Sequence, residues 1–464
     1  MKTLKFLAVT FALSALSSFA AQADYNVMDY GAVADTTVLS TKAFQAAVDD
    51  CAQRGGGTVI VPAGDYKCGS IFLKDNINLY LSAGATIYAS RNPRDFRIGD
   101  GPDETVGIDG AELLIGAIDA RNVSISGYGT LNCRAVRETY RRSPQPEVRD
   151  SVTGREVANA HKYGADYRTK FRRVPPCPGA INFTNCTDVH INGIRVVESS
   201  VWSVHLLWCD RVYLNGVYIT SDPHCGVNAD GLDIDGCSNV MVSDCRIETG
   251  DDAICIKTTS QNGSSRPCRY VTVTNCVLTS SSAAFKIGTE THSDVENITF
   301  SNSVIHNSNR GLNMIIRDGG TVRNVVMSNL VINTNRHETF WWGNGDPIWF
   351  TIQRRDPAPS AGGIENVVIS DVIAHGESGI RMEGFSEHIK NVRMNNVQLF
   401  MHPENAIDKR SRHGYYFEGV DGLSLTDCSV TWDKANPEPT WEKAFEYKDV
   451  TRLKTQSLEG EDIR

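Results

Sequence analysis

A short pattern recurs along most of the chain: a polar residue, Val or Ile, any residue, an aliphatic or Phe, then Ser, Thr or Asn with Asn, Asp or Gly. It begins at Asn122-Val-Ser-Ile, Asp188-Val-His-Ile, Arg211-Val-Tyr-Leu, Asn239-Val-Met-Val, Tyr270-Val-Thr-Val and Asn297-Ile-Thr-Phe. It continues at Asn324-Val-Val-Met, Asn366-Val-Val-Ile, Asn391-Val-Arg-Met and Gly422-Leu-Ser-Leu. From Asp188 onward the starts are separated by 23, 28, 31, 27, 27, 42, 25 and 31 residues. Such intervals hold several short strands and turns but no long amphipathic helix. Leucine-rich repeats share the period, yet their Leu-x-x-Leu-x-Leu spacing is missing, and a propeller needs longer repeats. The pattern predicts an all-β, single-domain, right-handed parallel β-helix, each coil burying its inward residues against the coils above and below.

Such a solenoid needs capped ends. Phe44, Ala47, Val48 and Cys51 fall at i, i+3, i+4 and i+7, which predicts an N-terminal capping helix over the first coil. After Asp433 the chain turns polar, and an irregular tail is expected, with Trp441 and Phe445 as lid contacts. The N-x-[ST] triplets at Asn122 and Asn297 read as by-products of the repeat rather than glycosylation sites. Residues 1–23 form the pattern of a secretory signal peptide: Lys2 and Lys5, an apolar run from Phe6 to about Leu16, then Ala21-Gln22-Ala23. The domain is thus expected over 24–464, secreted or periplasmic, without a membrane anchor.

Thirteen cysteines in an exported chain suggest disulfides first. However, Cys186, Cys245, Cys276 and Cys428 each end a Thr-Asn-Cys, Ser-Asp-Cys or Thr-Asp-Cys tripeptide after an alternating strand. A repeated position of that kind reads as a buried ladder, because free cysteine packs as a small hydrophobe. Cys177, Cys225 and Cys268 lie in loops and remain candidates for bridges. The net charge of −9 argues against nucleic acid as a partner.

Two segments depart from the repeat background: Asn228-Ala-Asp230-Gly-Leu-Asp-Ile and Gly250-Asp251-Asp252-Ala-Ile-Cys-Ile-Lys257. If their strands stack with Leu232 under Ile254, Asp230 lies under Asp252, with Asp251 beside them. Neighbouring strands are ~4.8 Å apart. Carboxylates that close cannot all ionise without cost, so at least one is expected to keep a proton near neutrality. An acid and a base in one place is what glycoside hydrolysis needs. A lone Asp at a coil turn ordinarily caps backbone amides; an Asp pair stacked above a third Asp does not fit that reading.

These segments make the chain resemble the polygalacturonase family of glycoside hydrolases (family 28), as a divergent bacterial-type member. Asp29-Tyr-Gly-Ala32, Ala43-Phe-Gln-Ala46 and Gly55-Gly-Gly-Thr-Val-Ile-Val-Pro-Ala-Gly64 match the usual start of such chains, and Asn228-Ala-Asp-Gly231 and Gly250-Asp-Asp252 match its acidic motifs. The resemblance runs from about residue 25 to about 430. It implies an inverting hydrolase of α-glycosidic bonds in pectic or related acidic polysaccharide. Asp251 would protonate the leaving oxygen, and Asp230 and Asp252 would activate water.

Two family motifs are altered. Ser282-Ala283-Ala284 stands where Gly-His-Gly is expected, and Arg310-Gly-Leu-Asn-Met-Ile315 stands in place of Arg-Ile-Lys, with Asn313 and Ile315 at the basic positions. Those basic groups bind the substrate carboxylate in the family. Asn228, Lys257, Lys286, Glu290, Arg310, Arg317 and Trp342 are the candidate substrate-binding residues, Lys286 and Arg317 as substitutes for the lost cations. Phe340-Trp-Trp-Gly-Asn-Gly-Asp-Pro-Ile-Trp349 fills the 42-residue interval, and clustered Trp suits sugar stacking as well as packing within the loop. An insertion over about 134–177 carries 11 Lys/Arg against 5 Asp/Glu between Arg134 and Arg173, a charge that can steer an acidic oligosaccharide. Hydrolysis of this kind calls for no metal or other cofactor, and a monomer is expected. The competing readings are a calcium-dependent β-helix polysaccharide lyase and a non-catalytic glycan-binding β-helix. The matching hydrolase motifs weigh against the lyase, and the intact acids against the adhesin.

Overall fold

The computed structural model describes residues 24–96, 112–144, 169–174, 176, 178–337, 343–354, 361–385, 388–406 and 409–464. The expected leader, Cys177 and Trp342 lie outside these residues. Two long parallel sheets wind around one apolar core as a right-handed parallel β-helix. Coil follows coil because the inward residues stack in register: Val189 on Val212, then Val240, Val271, Ile298, Val325, Val367, Val392 and Leu423. All nine are at most 1% exposed. Burying each such side chain contributes roughly 1.5–3 kcal/mol.

The polar residue that opens each repeat has a backbone role. Asn122, Asn239, Asn297, Asn324, Asn366 and Asn391 hold φ between 52° and 62°. This left-handed conformation costs most residues roughly 1–2 kcal/mol, and asparagine tolerates it best after glycine. Stacked asparagines also bond one another, Asn324 to Asn297 at 3.1 Å, Asn366 to Asn324 at 3.2 Å and Asn391 to Asn366 at 3.1 Å. The two triplets at Asn122 and Asn297 therefore belong to corner ladders. A second left-handed corner falls at Asn185, Asp244, Asn275 and Asp427, the middle residues of the Cys tripeptides. The following thiols are buried and donate to the carbonyl two residues back, as Cys245 does to Ser243 at 3.1 Å. All twelve described cysteines are free, Cys225 and Cys268 included. The expectation of loop disulfides fails at these two because each thiol is already packed inside.

Helix Thr41–Gln53 buries Ala43, Phe44, Ala47, Val48 and Cys51 over the first coil, with Phe44 edge-on to Tyr66 at 5.5 Å. At the other end the expected irregular tail is instead a further coil. Strand Phe445–Lys448 pairs with Tyr415–Glu418, and Lys454–Gln456 pairs with Val420–Trp432. Trp441 is fully buried against Trp432, ring centroids 5.0 Å apart, and closes the core. Few aliphatics are needed where one indole covers the end, which is why the segment reads as polar.

In the insertion, Tyr140–Pro144 and Thr169–Arg173 form an antiparallel pair separate from the two long sheets. At its root, Tyr140 and Ala135 pack on Cys225 and Val227, directly before Asn228. The basic insertion thus grows from the wall of the acidic site.

Candidate active site

The twelve-stranded sheet positions the candidate carboxylates. Strands Leu232–Asp235 and Ile254–Thr258 pair in parallel, Leu232 on Ile254 and Asp233 on Cys255. Their N-terminal ends open at one mouth, where the Gly231 N–H donates to the Asp252 carbonyl at 2.9 Å. Asp230 and Asp252 are stacked there, 3% and 2% exposed. Carboxylate oxygens of these two residues and Cys255 Sγ all lie within 4.8 Å of one another.

The environments of the three acids differ. Asp252 Oδ2 receives Lys286 Nζ at 2.6 Å, and Asp252 Oδ1 receives Ser282 Oγ at 2.8 Å. Arg310 backs this arrangement, with Nη2 donating to Ser282 Oγ at 2.7 Å and Nε to the Ser282 carbonyl at 3.2 Å. Burial alone would raise the Asp252 carboxyl, but Lys286, Arg310 and Lys257 together hold it below its ordinary range. Asp230 goes the other way. Burial, then repulsion from Asp233, Asp251 and Asp252, push it well above the carboxylate range against the pull of Lys257. Its Oδ1 has no hydrogen-bond partner among the described residues. Asp251 is more exposed, at 9%. Its Oδ2 accepts from the Asn228 N–H at 2.9 Å and its Oδ1 from the Asp252 N–H at 3.0 Å.

Lys257 lies beneath this group. Its Nζ is 2.7 Å from Asp233 Oδ1, 3.7 Å from Asp230 Oδ2 and 3.7 Å from the Trp202 ring centroid. Burial disfavours the ammonium, but Asp233 and Asp230 outweigh burial and keep it charged. Glu290 is half-buried near the end of strand Ala283–Thr291, where its charge also favours the Lys257 ammonium. The Cys255 thiol donates to the Gly288 carbonyl at 2.8 Å, and burial pushes it well above its ordinary range, so it stays protonated. Asp230, Asp252 and Cys255 converge on one point, and the cation that meets Asp252 there is the Lys286 ammonium.

The structure therefore brings together Asp230, Asp251, Asp252, the backbone of Asn228, Lys257, Lys286 and Arg310. Arg317 follows strand Arg310–Ile316 at the end away from the mouth, its backbone N–H bonded to Thr291 Oγ1 at 3.0 Å. Three residues of this cluster escaped the sequence reading. Asp233 and Ser282 sit within the quoted motifs, and strand parity alone could have pointed Asp233 outward. Trp202 comes from a loop and carries no local signal. Further along the same outer row, Asn313 pairs with Trp349 and Trp349 with Arg381. Asn313 Nδ2 donates to the Trp349 carbonyl at 2.8 Å, so this point of the row is a buried neutral amide.

The sequence pattern of the family described as glycosyl hydrolases family 28 matches residues 51–405. The chain belongs to that family. Among curated proteins, this family 28 chain is 25% identical over 306 residues to a Vitis vinifera protein named "Probable polygalacturonase", covering 62% of this chain and 56% of the relative. It is 24% identical over 313 residues to the exo-poly-alpha-D-galacturonosidase of Dickeya chrysanthemi, covering 62% and 51%. The match thus spans only about half the length of these relatives. Among solved structures, the Thermotoga maritima exopolygalacturonase superposes with a TM-score of 0.67 at 22% identity, over 88% of this chain and 92% of that one. At that identity the likeness establishes the shared fold.

Proposed function

We propose that this protein is an inverting glycoside hydrolase that cleaves α-glycosidic bonds in pectic or related acidic polysaccharide, with Asp230, Asp251 and Asp252 as its catalytic carboxylates. The observation that carries the reading is the unequal treatment of two stacked acids. Lys286 and Ser282 keep Asp252 ionised, while burial and repulsion keep a proton on Asp230. A water between them is polarised by the Asp252 carboxylate as general base and oriented by Asp230. Asp251, the more exposed of the three, protonates the departing glycosidic oxygen. The backbone amides of Asn228 and Asp252 fix its carboxylate, so that its syn and anti edges are not free to wander.

The substrate reading follows from the charges. The basic insertion is rooted beside Asn228 and supplies a positive approach for a polyanion. Asn313 and Ile315 offer no charge at the family's carboxylate-binding positions, so the sugar at the cleaved bond is neutral or carries its acid elsewhere. Asn228, Lys257, Lys286, Glu290, Arg310, Arg317 and Trp342 remain the proposed substrate contacts, with Lys257 and Lys286 acting chiefly through the carboxylates they hold and Arg310 through Ser282. Residues 1–23 are the proposed export signal, and the mature chain from Asp24 acts as a secreted or periplasmic monomer. No helix of the described residues is long and apolar enough to cross a membrane.

The mechanism is tested by proton NMR of the first product formed from a cleaved pectic oligosaccharide. Inversion gives the β-anomer before mutarotation. An α-anomer appearing first would show a double displacement and would remove the shared water from the mechanism.

A further inference from the structure

The Ser282-Ala283-Ala284 segment carries no histidine, yet a histidine from elsewhere bonds the residue directly before it. His337 follows strand Thr321–Thr334, two coils further along, and its Nδ1 lies 3.2 Å from Ser281 Oγ. Ser281 is the centre of three consecutive serines that brace the catalytic mouth. Ser280 Oγ donates to the Asp251 carbonyl at 2.7 Å, Ser281 Oγ to the Pro223 carbonyl at 2.6 Å, and Ser282 Oγ to Asp252 Oδ1 at 2.8 Å. The Ser281 N–H also bonds the Thr249 carbonyl at 3.0 Å, which stacks this turn directly on Gly250–Asp251.

The hydrogen bonds fix how the ring carries its protons. Nε2 faces the Asn307 carbonyl at 3.1 Å, an acceptor only, so Nε2 donates. The single hydroxyl hydrogen of Ser281 is already given to Pro223, so Ser281 Oγ can only accept from Nδ1. Both nitrogens are thus placed to donate, which is the imidazolium form. We infer that His337, as a doubly protonated ring, is a positioning residue that locks the Ser280–Ser282 brace and sets a positive charge beside the Asp251 turn. The inference rests on the hydrolase reading above. Among the described residues, the titratable and charged groups near it include Asp251 in the stacked turn, Asp222 and His224 flanking Pro223, His306 beside Asn307, and Arg336 on its own segment.

Removing the cation weakens the brace and leaves the Asp251 acid protonated to higher pH. The test compares wild type with His337→Gln and His337→Ala on a cleaved pectic fraction. Both variants should lose about tenfold or more in kcat with KM little changed, and the alkaline limb of kcat/KM should move to higher pH. Superimposable pH profiles would overturn the inference, whatever happens to the rate. A second measurement needs no turnover: nitrogen-15 NMR of the full-length protein should show both His337 nitrogens protonated at pH 7. A neutral ring there overturns it equally. Absence of hydrolysis by wild type would instead strike the proposed function, and the NMR result would still decide the state of His337.

Discussion

Lys286 Nζ lies 2.6 Å from Asp252 Oδ2, with both side chains buried and Asp252 only 2% exposed. One coil later in register stands Asn313, a buried neutral amide, so Lys286 is the cation of this outer row that meets the acids. Removing one partner of such a pair strands the other. Lys286→Met is expected to destabilise the fold by roughly 3–5 kcal/mol at pH 7. The sign with pH follows from the shifts. The depressed Asp252 contributes stability above about pH 4 and loses it as pH falls through its folded value. The raised Lys286 contributes below about pH 10 and loses it above. Denaturant melts should show the variant's deficit shrinking below about pH 4; a deficit independent of pH would mean lost packing rather than lost charge.

Asp230 should respond in the opposite sense. Its raised carboxyl costs stability as pH climbs above the ordinary range of about 4, because the unfolded chain ionises there and the native site does not. Asp230→Asn keeps the shape and removes the acid. Melting experiments should find it at least as stable as wild type at pH 7 and little different at pH 3, with activity down ~10²-fold or more. A variant less stable at pH 7 than at pH 3, relative to wild type, would show that Asp230 is ionised in the native site.

Asp251→Asn should lower kcat by 10² to 10⁴, roughly the worth of a general acid. The change leaves an amide oxygen able to accept from only one of the two backbone donors, so the circular dichroism should be unchanged while the melting temperature falls by a few degrees. Retention of most activity on the natural substrate would take Asp251 out of the acid role.

Homopolygalacturonate should be a poor substrate. Asn313 is fully buried and spends its amide on the Trp349 carbonyl, and Ile315 is apolar and 6% exposed, so neither pairs with a uronate carboxylate. An unpaired buried carboxylate costs several kcal/mol. Shortening the Arg134–Arg173 insertion should raise KM several-fold on an acidic substrate and flatten its salt dependence. Rapid cleavage of unmodified polygalacturonate by the intact enzyme would mean that Lys286 leaves Asp252 to bind substrate.

The coil was legible because its constraints are local and repeated. An Asn or Asp at each left-handed corner and an aliphatic at each inward position mark every turn, and a 22-residue step from Leu232 to Ile254 was enough to stack Asp230 on Asp252. The altered motifs were legible as losses. Lys286 was legible as a candidate cation, but the group it pairs with was not, because such pairings cross between coils. Lys286 reaches back across one coil to Asp252, and His337 reaches across two to Ser281. Arg317 looked equivalent to Lys286 in sequence, yet it follows its strand at the end away from the mouth. The final coil was missed for a different reason: Trp441 does alone what several aliphatics do elsewhere.

The most direct measurement incubates purified wild type and Asp251→Asn with a panel of pectic fractions, with a chelator and separately with added calcium, following new reducing ends and unsaturated-product absorbance together. Carboxylate-driven hydrolysis should release reducing ends from at least one fraction, with no rise in that absorbance, no effect of the chelator and at least ~10²-fold less product from the variant. Unsaturated product that needs calcium would show a lyase, and no new ends from any fraction would leave a non-catalytic glycan-binding helix.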